Sequence, residues 1–125
     1  MKFAVYQIQI TEAQRKTINE SKDFDAVPAF AAKIKMKTHF SGNKIGGLAS
    51  EAFEAGYYTH VANIEAEDYE DCFEVGNIGP DENIERLSRM SSLSVGDVIV
   101  AEDGTVAVIA PVGFVAFSHN PSIAA

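Results

Sequence analysis

The sequence predicts an α+β fold: a single domain with a mostly antiparallel sheet of about five to six strands and three to four helices. Three observations lead there. Short β-branched or alternating segments lie at the start, middle and end of the chain. Capped, alanine-bearing helical stretches separate the first two. An Asp-Gly pair sits between two β-branched runs near the C-terminus, a strong hairpin signal. The 125 residues suit one domain. Residues 1–118 are expected to form it, with 119–125 as a flexible tail.

Residues 2–10, KFAVYQIQI, read as the first strand. Thr11 followed by Gln14 is a capping-box signature, and Glu12 suits the positive end of the helix it opens, which runs to about Glu20. Residues 26–39 are ambiguous. Val27, Phe30, Ala31 and Ile34 fit a helical stripe, while AKIKMK alternates with period two. The alanines and Pro28 favour a helix. SGNKIGG (41–47) reads as a loop, LASEAFEAG as a short helix ending at Gly56, and YYTHVANIE (57–65) as a strand. CFEVGNI (72–78) alternates and reads as a further strand. PDENIERLSRM (80–90) reads as a helix, with Pro80, Asp81 and Glu82 in its first turn. DVIVAEDGTVAVIAPV (97–112) reads as two strands joined across Glu102-Asp103-Gly104, and 113–117 as a short final strand.

Apolar residues make up 46% of the chain, which is globular rather than disordered. No apolar run approaches the roughly 20 residues that span a bilayer, and the N-terminus lacks a signal-peptide pattern. A cytoplasmic protein of a bacterial host cell, with no membrane partner, is expected. The single cysteine, Cys72, excludes an intramolecular disulfide and a cysteine-based metal cluster. Net charge is -8, against sequence-independent binding to a phosphate backbone. The acids are concentrated. Residues 65–85 hold nine of them and no Lys or Arg, so the molecule is expected to have one negative end able to steer a basic partner.

Sites of chemistry are hard to find. His39, His60 and His119 lack His or Cys neighbours at ligand spacing, so no metal and no cofactor are expected. Acids flank Cys72 and disfavour its thiolate. Ser91, Ser92 and Ser94 lack a nucleophile elbow, and no glycine run matches a phosphate loop. The chain is therefore expected not to be an enzyme. In residues 92–114, Ser94, Gly96 and Asp97 read as a braced turn, Gly104 as the hairpin turn, and Phe114 as its closure onto the core.

MSSLSVGDVIVAEDGTVAVIAPVGF (90–114) resembles the ending of small proteins of bacteriophages and mobile plasmids. There a Ser-x-Ser-Val-Gly-Asp-Val turn leads to a hairpin and a closing Gly-Phe, as in YodL-like domains. NIGPDENIERLSRM and YQIQIT look like the same group. The resemblance implies an accessory protein of a phage or mobile element, and no catalytic residue.

The expected function is to bind a host or element-encoded protein, inhibiting a defence or nucleic-acid-processing enzyme. The expected contact is Glu65, Glu67, Asp68, Tyr69, Glu70 and Asp71 with an exposed tyrosine, Tyr57 or Tyr58. The alternative is a nucleic-acid-associated module, requiring Lys33, Lys35, Lys37, Lys44, Arg86 and Arg89 to share a face. Pairing of two copies through a sheet edge is compatible with both.

Overall fold

A computed structural model describes residues 1–22, 26–38 and 42–117. The expected tail, His39 and His119 lie outside the described residues. Strand β1 (Lys2–Ile8) is followed by helices α1 (Glu12–Ser21), α2 (Pro28–Thr38) and α3 (Gly42–Glu54). Then come β2 (Tyr58–Glu65), α4 (Tyr69–Ile78), a 3₁₀ turn at Asp81–Asn83, β3 (Ile84–Arg86), β4 (Val98–Ala101), β5 (Val106–Ile109) and β6 (Phe114–Ala116). The strands form one six-stranded sheet in the order β3-β2-β1-β4-β5-β6, and every neighbouring pair is antiparallel. The fold is α+β.

The period-two pattern of the strands divides the core into two layers. On one face Phe3, Val5, Ile64, Ile99 and Ile109 pack under α4, which contributes Cys72 and Val75. On the other face Tyr6, Ile8, Val98 and Val108 pack against Met36 of α2 and Ile45, Ala49, Ala52 and Phe53 of α3. At the β1–β2 seam the register skips Val61 between Val5 and Tyr6, a bulge. The Val61 carbonyl accepts the amides of Leu87 and Ser88, at 2.9 and 3.2 Å, where the chain leaves β3.

Three sequence expectations give way. Residues 42–47 belong to α3, because Ile45 heads its buried stripe. Gly46 lets this helix approach β6 closely: a Cβ there would lie 3.3 Å from Val115 Cγ1. Residues 72–78 are helical rather than extended, because Cys72 and Val75, three apart, face the sheet together. Asp68 caps this helix by accepting the Asp71 amide at 2.8 Å. Residues 80–90 are not a helix. Ile84, Glu85 and Arg86 pair with Ile64, Asn63 and Ala62 on β2, and this edge pairing overrides the local helical signals. Leu87, just past this edge strand, is 50% exposed.

Candidate functional site

Strand β1 gives the molecule two chemically different ends, separated by roughly 20 Å for seven extended residues. The Lys2 end is acidic. There β2 finishes, α4 begins and the β4–β5 turn folds back. Glu65 pairs with the Met1 ammonium at 3.1 Å, and Glu102 accepts the Lys2 amide at 2.9 Å. The Glu67 amide donates to Asp71 at 2.9 Å, so Asp68 and Asp71 close the first turn of α4 between them. Asp103 accepts the Thr105 amide at 2.9 Å, and the Thr105 bonds hold its carboxyl below the usual range. Tyr69 ties α4 to that turn by donating to the Thr105 carbonyl at 3.2 Å. Its ring lies 5.5 Å from those of Phe3 and Phe114.

Some acids of this end are therefore structural, and others are not. Glu65, Asp68 and Asp71 serve local structure, whereas Glu67, Glu70 and Glu74 are exposed and form no ion pair among the described residues. Burial, and then the neighbouring Asp71, pushes the Cys72 thiol up to about 12, which removes it as a nucleophile near neutral pH.

The expected tyrosines do not join this surface. Tyr57 and Tyr58 sit at the opposite end of β2 from Glu65. Tyr57 lines a groove between α2 and α3 with Leu48, Ala52 and Lys35. The Tyr58 hydroxyl donates to the Gly96 carbonyl at 2.6 Å, and burial raises its pKa.

The Ile8 end holds the turn of the C-terminal motif. Gly96 adopts φ +95°, a conformation side chains disfavour, with its amide bonded to the Ile109 carbonyl at 2.9 Å. Buried Asp97 accepts the Ser94 amide and the Gln7 side-chain amide through Oδ2, both at 3.0 Å. Gln7 also exchanges two 3.0 Å bonds with the backbone of Ser91. Asn77 of α4 does the same for Leu93, at 2.6 and 3.2 Å. Two side-chain amides thus pin the segment 87–97 across the sheet. Gly104 turns the β4–β5 hairpin with φ +90°. Phe114 stacks on Tyr69.

The six cations of the alternative are dispersed. Lys33 and Arg89 line one cavity at the Ile8 end. Lys37 lies near Lys33, Lys35 points into the α2–α3 groove, and Lys44 is exposed on α3. Arg86, on the far edge strand, is bound to Asp81 at 2.8 Å. His60 stacks on Tyr6 at 4.7 Å and meets Asn63 at 2.8 Å. Among the described residues no group of three His, Cys, Asp or Glu side chains is placed to hold a metal, and no helix is long and apolar enough to cross a membrane. No protein-family model, curated protein or solved structure matches the chain.

Proposed function

We propose that this protein is a non-enzymatic accessory protein of a phage or mobile element. It binds a basic protein of the host or of the element, and by doing so blocks a defence or nucleic-acid-processing enzyme. The observation behind this reading is the exposed set Glu67, just before the α4 cap, and Glu70 and Glu74 on α4, without an ion pair among the described residues and beside Glu102 and Asp103, at one end of a chain of net charge -8. Charge gathered at one end steers an oppositely charged partner and raises its association rate at low salt. The resemblance of residues 90–114 to phage and plasmid proteins supplies the biological setting.

The test uses tagged full-length protein in bacterial lysate, with and without nuclease, followed by association kinetics on the protein recovered. Glu67→Gln, Glu70→Gln and Glu74→Gln together spare the Asp68 cap. The expected result is nuclease-resistant capture, with the triple variant associating about tenfold more slowly at low salt. An unchanged association rate, or capture that vanishes with nuclease, overturns the reading.

A further inference from the structure

We propose that the cavity at the Ile8 end of β1 is a binding site for a phosphate group, either free or as a small monoester. The cavity has a volume of about 190 Å³ and is lined by Ile8, Gln9, Ile10, Arg15, Lys33, Arg89 and Ser91. Its three cations come from three separate segments: Arg15 from α1, Lys33 from α2, and Arg89 from the connection that follows β3. Among the described residues no carboxylate lines it. In a chain with 18 acids and 10 basic residues, that convergence runs against composition.

The wall opposite the helices is built rather than loose. Gln7 holds the backbone of Ser91 by two bonds of 3.0 Å, and the Gln9 side chain donates to the Arg89 carbonyl. These two glutamines, Gln7 on β1 and Gln9 just past its end, hold the backbone of Arg89 and Ser91 in place. Across the cavity the half-buried Lys33 ammonium donates to the Ile8 carbonyl at 3.3 Å. Burial, followed by the charges of Lys37 and Arg15, lowers the Lys33 pKa, while the charge of Asp97 acts the other way. Arg15, Lys33 and Arg89 form no ion pair among the described residues. The repulsion that Arg15 and Lys37 exert on Lys33 is relieved by a bound anion.

Charge and size select the anion. A phosphate monoester carries about -1.5 to -2 at neutral pH and offers several acceptor oxygens, which suits two guanidinium forks and an ammonium better than a single carboxylate does. The cavity is smaller than the roughly 300–1,000 Å³ of drug-sized sites, so it fits one phosphate group rather than a stretch of polymer. It lies at the opposite end of β1 from the acidic surface, so the two proposals stand or fall separately.

The experiment titrates full-length protein with inorganic phosphate and, separately, with adenosine 5'-monophosphate, against sodium chloride at matched ionic strength. Side-chain NMR signals of the arginines and lysines are followed. Saturable shifts confined to Arg15, Lys33 and Arg89, with affinity about tenfold weaker in Arg89→Gln, support the site. Binding of both probes alike shows that the free anion suffices, whereas binding of the monophosphate alone assigns the ester. Lys35→Gln and Lys44→Gln leave affinity unchanged. Shifts equal to those in chloride, affinity unaltered by Arg89→Gln, or shifts spread over Lys35 and Lys44 overturn it.

Discussion

Asp97 is 6% exposed and carries three structural duties at once. Its Oδ2 holds Ser94 and Gln7, and its backbone carbonyl accepts the Ile109 amide at 2.9 Å. Burial pushes its carboxyl up to about 6 from an ordinary 3.8, against the pull of those hydrogen bonds and of Lys33 and Lys37. The folded protein thus holds this proton more tightly than the unfolded chain. The resulting stabilisation is complete below about pH 4 and is lost as pH rises through about 6. Asp97→Asn keeps an acceptor oxygen and cannot ionise. Urea melts should show the stability of the native chain, relative to this variant, falling by about 2–3 kcal/mol between pH 4 and pH 7. A difference that stays flat with pH would show that the carboxyl titrates normally.

At the scale of elements, α4 depends on its first turn. Asp68→Ala removes the acceptor for the Asp71 amide and should lower the unfolding free energy by about 1 kcal/mol, measured by denaturant melts, with Asp68→Asn restoring most of it. No loss in Asp68→Ala would show that the cap contributes nothing. This helix also marks the limit of what the sequence discloses. The Thr11–Gln14 capping box is visible in the residues and present in the structure, with reciprocal bonds of 3.1 and 3.0 Å. The equivalent start at Asp68 and Asp71 is also written in the residues. It was masked by the extended look of Cys72–Ile78, where Phe73 and Ile78 blur the spacing of Cys72 and Val75. The opposite error at 80–90 has a different origin. Nothing local distinguishes Ile84–Arg86 from a helix, because β2 alone makes it a strand. The expected numbers of strands and helices match the structure only because these two exchanges cancel. Sites followed the same division. The Gly96–Asp97 turn is local and was legible. Arg15, on an ordinary-looking surface helix, joins Lys33 and Arg89 only through tertiary placement.

Across the whole molecule, stability is unevenly spread. The middle strands are sandwiched between two apolar layers, whereas Ile18 is the one buried residue of α1. Amide hydrogen exchange should therefore find Val5 and Tyr6 opening only with global unfolding. Amides of Lys16–Ser21 should exchange at least about 100-fold faster through local opening. Equal protection in the two segments would show that α1 is anchored as firmly as the sheet.

The position of β1 between β2 and β4 also governs the order of events in time. During synthesis this strand leaves the ribosome before either neighbour. One side is met only when Tyr58–Glu65 has followed, and the other only when Val98–Ala101 has been made. The strands β4, β5 and β6 form a local meander that assembles on short connections, but they cannot join the rest until the chain's early segment is recruited back across most of its length. Closing that seam carries the entropy of a long loop before any contact offsets it. The centre of the sheet is therefore the last place to be completed, and KFAVYQI spends the interval with an open edge that a chaperone, or another nascent chain, can occupy.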